Sequence, residues 1–77
     1  MVKHNLTVRS VVIDWSSDTM EVTTMADNKH TISLDTTIDV HMIGFPSERQ
    51  QTMSARELGD YMSHGYVILQ IDFKEEV

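Results

Sequence analysis

The residues of this chain that could do chemistry are four histidines and twelve carboxylates; there is no cysteine. Asp39 and His41 stand two apart in a strictly alternating run, so on an extended strand they share a face. A zinc site built on them needs a third or fourth ligand from His4, His30 or His64. His30 and His41 differ by an odd number, so one unbroken strand points them to opposite faces. Solvated surface histidines are the simpler reading. Without cysteine there are no disulfides and no thiolate zinc sites. No serine occupies a Gly-x-Ser-x-Gly elbow. Ser63 and His64 are neighbours on a helix and do not face each other. Gly44, Gly59 and Gly65 are isolated, which excludes a phosphate loop, and no EF-hand loop is present. A chain of 77 residues leaves little room beside its core for a deep pocket of about 300 Å³. The expectation is no catalytic, cofactor or metal site, and no enzyme.

Charge is the stronger signal. Six basic residues face twelve acidic ones, for a net charge of −6. Such a surface repels nucleic acid and attracts a basic protein surface. The residues expected to meet a protein partner are Asp14, Asp18, Glu21, Asp35 and Asp39. A rigid array of carboxylates can imitate a phosphate backbone, although strand positions four apart lie ~13 Å from one another, a loose match. In composition the chain is similar to phage-encoded host-takeover and anti-defence proteins. It has no apolar run of signal-peptide or membrane-span length, so the expected location is the cytoplasm, or the host cytoplasm if the chain is phage-encoded.

These residues must be positioned by a small core. The chain is one domain, with loose ends at 1–4 and 74–77. Leu6–Trp15 reads as a strand whose alternation changes phase near Arg9 and Ser10. That marks either a β-bulge or a strand covered on both sides, and the doubly covered strand is favoured. Thr19–Met25 alternates and forms a hairpin with it across Ser16-Ser17-Asp18. From His30 to Met42 the alternation is clean, with Ile32, Leu34, Ile38, Val40 and Met42 on one parity. A run that long must break near Asp35-Thr36-Thr37. Glu48–Met53 is polar and reads as a loop. Ser54-Ala55-Arg56-Glu57 matches a capping box, and Ala55, Leu58, Gly59 and Met62 form an apolar stripe on the helix it starts. Gly65 falls at the helix stop. Tyr66–Phe73 is the last strand.

The fold expected is α+β: a small, mainly antiparallel sheet of four to five strands in the order β-β-β-(β)-α-β. One helix, about 54–64, packs on one face. The expected function is that of a small acidic intracellular binding protein, an inhibitor or modulator of another protein. A basic nucleic-acid-binding protein is the pointed candidate for the partner. Two alternatives remain. The chain could be a structural homodimer, paired through Ile13, Trp15, Tyr66 and Ile68 if those side chains lie on an uncovered sheet face. It could also be a small metal-binding or enzymatic module using Asp39 and His41.

Overall fold

The computed structural model describes residues 2–44 and 47–75. Six strands and one helix follow in the order β1 (Val2–Asp14), β2 (Thr19–Thr24), β3 (Lys29–Ser33), β4 (Thr37–Ile43), β5 (Glu48–Ser54), α1 (Ala55–Ser63) and β6 (Val67–Glu75). All pairings are antiparallel, in the spatial order β3-β2-β1-β6-β4-β5. The α+β class holds, with six strands rather than four to five. The ladder reaches Val2 and Glu75, so Val2–His4 and Lys74–Glu75 lie in strands.

β1 serves two half-sheets. Val2–Thr7 pairs with β6, and Val8–Asp14 pairs with β2. Val8 lies opposite Thr24 and Ser10 opposite Thr23, which leaves Arg9 as an extra residue. This bulge, not a second covering layer, explains the change of phase. Val12 on the far side is 61% exposed, while Leu6, Val8, Val11 and Ile13 all join the core. The two halves bend around that one core, which holds Met20, Val22, Ile32, Leu34, Ile38, Val40, Met42, Leu58 and Ile71. Each such side chain contributes about 1.5–3 kcal/mol when fully buried.

The long alternating run breaks at Leu34-Asp35-Thr36, as its length required. Leu34 stays fully buried inside this turn. Glu48–Met53 is not a loop. It forms β5, with Met53 opposite Ile38 and Gln51 opposite Val40. Met53 is therefore buried, although the residues before it are polar.

The helix start also departs from expectation, because the Ser54 side chain makes no cap. The amides of Ala55 and Arg56 donate instead to the carbonyls of Thr36 (2.9 Å) and Leu34 (2.9 Å). These backbone acceptors satisfy donors that a capping box would otherwise serve. The helix stop follows the Schellman pattern: Gly65 N–H donates to Met62 C=O (3.1 Å) and Tyr66 N–H to Tyr61 C=O (3.2 Å). The Tyr61 and Tyr66 rings meet edge-on at 5.5 Å, the apolar contact that accompanies this motif. Midway, Gly59 lets the helix approach the sheet closely; a Cβ there would sit 2.9 Å from Trp15 and 3.2 Å from Ile13.

Gly65 adopts φ +90°, a conformation that disfavours any side chain. Replacing it with Ala should destabilise the fold by about 1–2 kcal/mol, and Asn should cost less. Urea unfolding measures both; an unchanged midpoint for Gly65→Ala would contradict this account of the helix stop.

Candidate functional site

The five carboxylates expected to act together separate into three environments. Asp18 and Asp35 lie in the two turns flanking β2 and β3, where Arg56 bridges them (Nη2 to Oδ1, 2.6 and 3.1 Å). The Asp18 contact, then the Asp35 contact, pushes the Arg56 pKa up. These two acids are therefore partly neutralised. They close the molecule, joining both turns to the start of α1.

Asp14 is pinned by neutral donors. Its Oδ1 accepts from Ser16 Oγ (2.6 Å), Ser16 N–H (3.0 Å) and Ser17 N–H (3.4 Å). The Ser16 hydroxyl, followed by Ser17, holds its pKa below 3.8. Asp39 accepts from the Thr52 hydroxyl and lies directly opposite Asp72 on β6. Asp72 accepts from Gln70 Nε2 (3.0 Å). Like charges directly opposite each other oppose strand pairing, but Lys3 and Lys74 line the same cleft as these two carboxylates. Glu21 stands exposed on the outer face of the other half-sheet, between Val12 and Thr31.

Asp72 had not been singled out from sequence. The β4–β6 register is what puts it beside Asp39. That outer face continues with His41, whose Nε2 donates to Glu48 (2.6 Å). Among the described residues, no group of three or more His, Asp or Glu side chains is placed to share a metal ion. His64 Nδ1 donates to the Asp60 carbonyl at the helix end (2.6 Å).

The four side chains considered for a dimer face do not form one open patch. Ile68 is buried. Ile13 packs beneath Gly59 of the helix, with Trp15 at its rim. Tyr66 lies against Gly44, where even a Cβ would come within 2.2 Å of its ring. The Arg49 guanidinium sits 5.9 Å from the centre of the Tyr66 ring. The helix of the same chain covers Ile13, while Trp15 stays 58% exposed.

Three clefts are larger than the sequence reading allowed, because they open at the rim instead of beside the core, and two of them meet at Phe73. One, about 580 Å³, lies among His4, His30, Thr31, Ser33, Phe73 and Lys74. His4 stacks on Phe73 (4.9 Å) and tilts against His30 (5.9 Å). The other, about 440 Å³, shares Phe73 and Lys74 and includes Lys3, Asp39 and Asp72. No helix is long and apolar enough to cross a membrane among the described residues.

The Asp14 geometry has a pH consequence. Its depressed pKa adds stability above the unfolded value near 3.8, and that stability is lost as pH falls through the folded value. The melting temperature of wild type should exceed that of Asp14→Ala by a constant margin above about pH 5, and the margin should shrink below about pH 4. A margin that does not depend on pH would refute the carboxylate's role.

No family model, curated protein or solved structure matches this chain.

Proposed function

We propose that this chain is a protein-binding module whose acidic sheet surface engages a basic surface of another protein and modulates that partner. The observation that carries the reading is the set of carboxylates pinned by neutral donors. Asp14, Asp39 and Asp72 are held in place by Ser16, Thr52 and Gln70. They keep their charge and lose their freedom, which lowers the ordering cost of meeting a cation.

The pinned carboxylates fall on both halves of the bent sheet and form no single row. They support a basic protein surface as partner more than they support imitation of duplex phosphate spacing. Asp39 and Asp72 are the centre of the proposed surface, with Asp14 and Glu21 flanking it on the other half. Asp18 and Asp35 contribute through the Arg56 clasp instead.

The test is capture from lysate on the immobilised chain, followed by affinity measurement with the protein recovered. Basic proteins should be retained at low salt and released at high salt. The double change Asp39→Asn and Asp72→Asn should weaken binding about tenfold without lowering the melting temperature, since an asparagine Oδ1 can still accept from Thr52 and Gln70. Retention of acidic proteins, or binding indifferent to salt, would end this reading.

A further inference from the structure

The sheet has two edges, β3 and β5, and they are built differently. In β4–β5, Gly44 N–H bonds Ser47 C=O (3.2 Å), and Ala55 N–H bonds Thr36 C=O (2.9 Å). Hydrogen-bonded pairs alternate along an antiparallel ladder. Between those two bonds the register is unbroken, from Ile43 opposite Glu48 to Thr37 opposite Ser54. Arg49, Gln51 and Met53 must therefore bond inward to β4. Glu48, Gln50 and Thr52 turn their N–H and C=O groups to the open side. Among the described residues, no hydrogen bond reaches the backbone of Gln50 or Thr52 from that side.

Natural edge strands are blunted by lysine, proline, a bulge or shortness. β3 follows that rule: five residues long, it begins with Lys29, and its open side borders the histidine-lined cleft. β5 has seven residues, Glu-Arg-Gln-Gln-Thr-Met-Ser; its charges, Glu48 and Arg49, stand at one end, and Gln50 to Ser54 carries no charge, proline or bulge. Its sequence is also self-complementary. In an antiparallel pairing centred on Gln51, Gln50 faces Thr52 of the partner subunit, and Glu48 faces Ser54 of the partner subunit. Arg49 faces Met53 of the partner subunit. No like charges then stand opposite each other. A slip centred on Arg49 would set that residue against itself, which favours the first register.

We propose that the open edge of β5 pairs antiparallel with the same edge of a second copy, extending the sheet through a two-fold axis. This differs from a dimer built on Trp15 and Tyr66, and it does not depend on the acidic-surface function. It rests on backbone bonds without a new apolar core, so the association is weak. Each copy carries a charge of −6, so screening by salt should strengthen it, opposite to the effect expected on a basic partner.

Sedimentation equilibrium of the full chain from micromolar to millimolar concentration, at low and high salt, tests the pairing. The mass should rise from one chain toward two, more readily at high salt. Hydrogen exchange at the Gln50 and Thr52 amides should slow about tenfold as dimer forms. Gln50→Pro removes an N–H that the monomer leaves unused. It should keep the unfolding midpoint and raise the dimer dissociation constant about tenfold. If that variant fails to fold, Gln50→Lys weakens the same edge by charge and should also shift the equilibrium to monomer. A single-chain mass at millimolar concentration would overturn the proposal. So would fast exchange at Gln50 and Thr52 at every concentration, or protection that appears only with an unlike partner.

Discussion

Everything inside this molecule takes its register from β1. It is the one strand that pairs with both halves of the sheet. A strand slipped by one residue turns every side chain to the opposite face, so one misplacement there would turn out two half-cores. The extra residue at Arg9 resolves a local conflict. Leu6 and Val8 lie on one parity and Val11 and Ile13 on the other, yet all four reach the common core. Only an odd insertion between them permits that. The bulge also lets the strand bend, since bulged strands twist more strongly.

The bend would leave the halves splayed without a closure, and Leu34 supplies it. Its side chain is fully buried, although it sits in a turn. Its N–H donates to Asp18 C=O (3.1 Å), and its C=O accepts from Arg56 N–H. The Arg56 side chain then holds Asp18 and Asp35. Surface ion pairs alone contribute little, but here they surround a buried leucine and two backbone bonds. Electrostatics and packing divide the work: the apolar side chain supplies the energy, and the arginine orients the turns. That division also ties two carboxylates to an arginine within the chain.

How much of this was legible in the sequence varied with how local its cause was. The β3–β4 run announced itself by alternation and broke where its length required. Gly65 announced the helix stop. β5 did not show, because it is an edge strand with polar side chains on both faces and only Met53 reaching the core. Its strand character comes from the ladder with β4, a partner that a local pattern cannot name. The capping box misled for the same reason: Ser54 and Glu57 have the right spacing, but carbonyls about twenty residues earlier took the amides first. Parity placed Asp39 on the polar face correctly. It placed Asp35 there too, and the turn then carried that residue to Arg56. Only the register across strands made Asp72 the neighbour of Asp39.

The acidity and the unguarded edge bear on each other. Lysine or proline guards an edge at contact distance, by spoiling a specific pairing. Net charge guards it farther out, over a Debye length of about 10 Å at 0.1 M salt. A chain at −6 repels other acidic chains over that distance, which limits their pairing with the polar β5 edge before strands align. The same field draws a basic surface inward and orients it. In the proposed reading, acidity does more than maintain solubility: a small sheet keeps an open edge and a set of fixed carboxylates together, and the sign of the approaching surface becomes the first criterion of recognition.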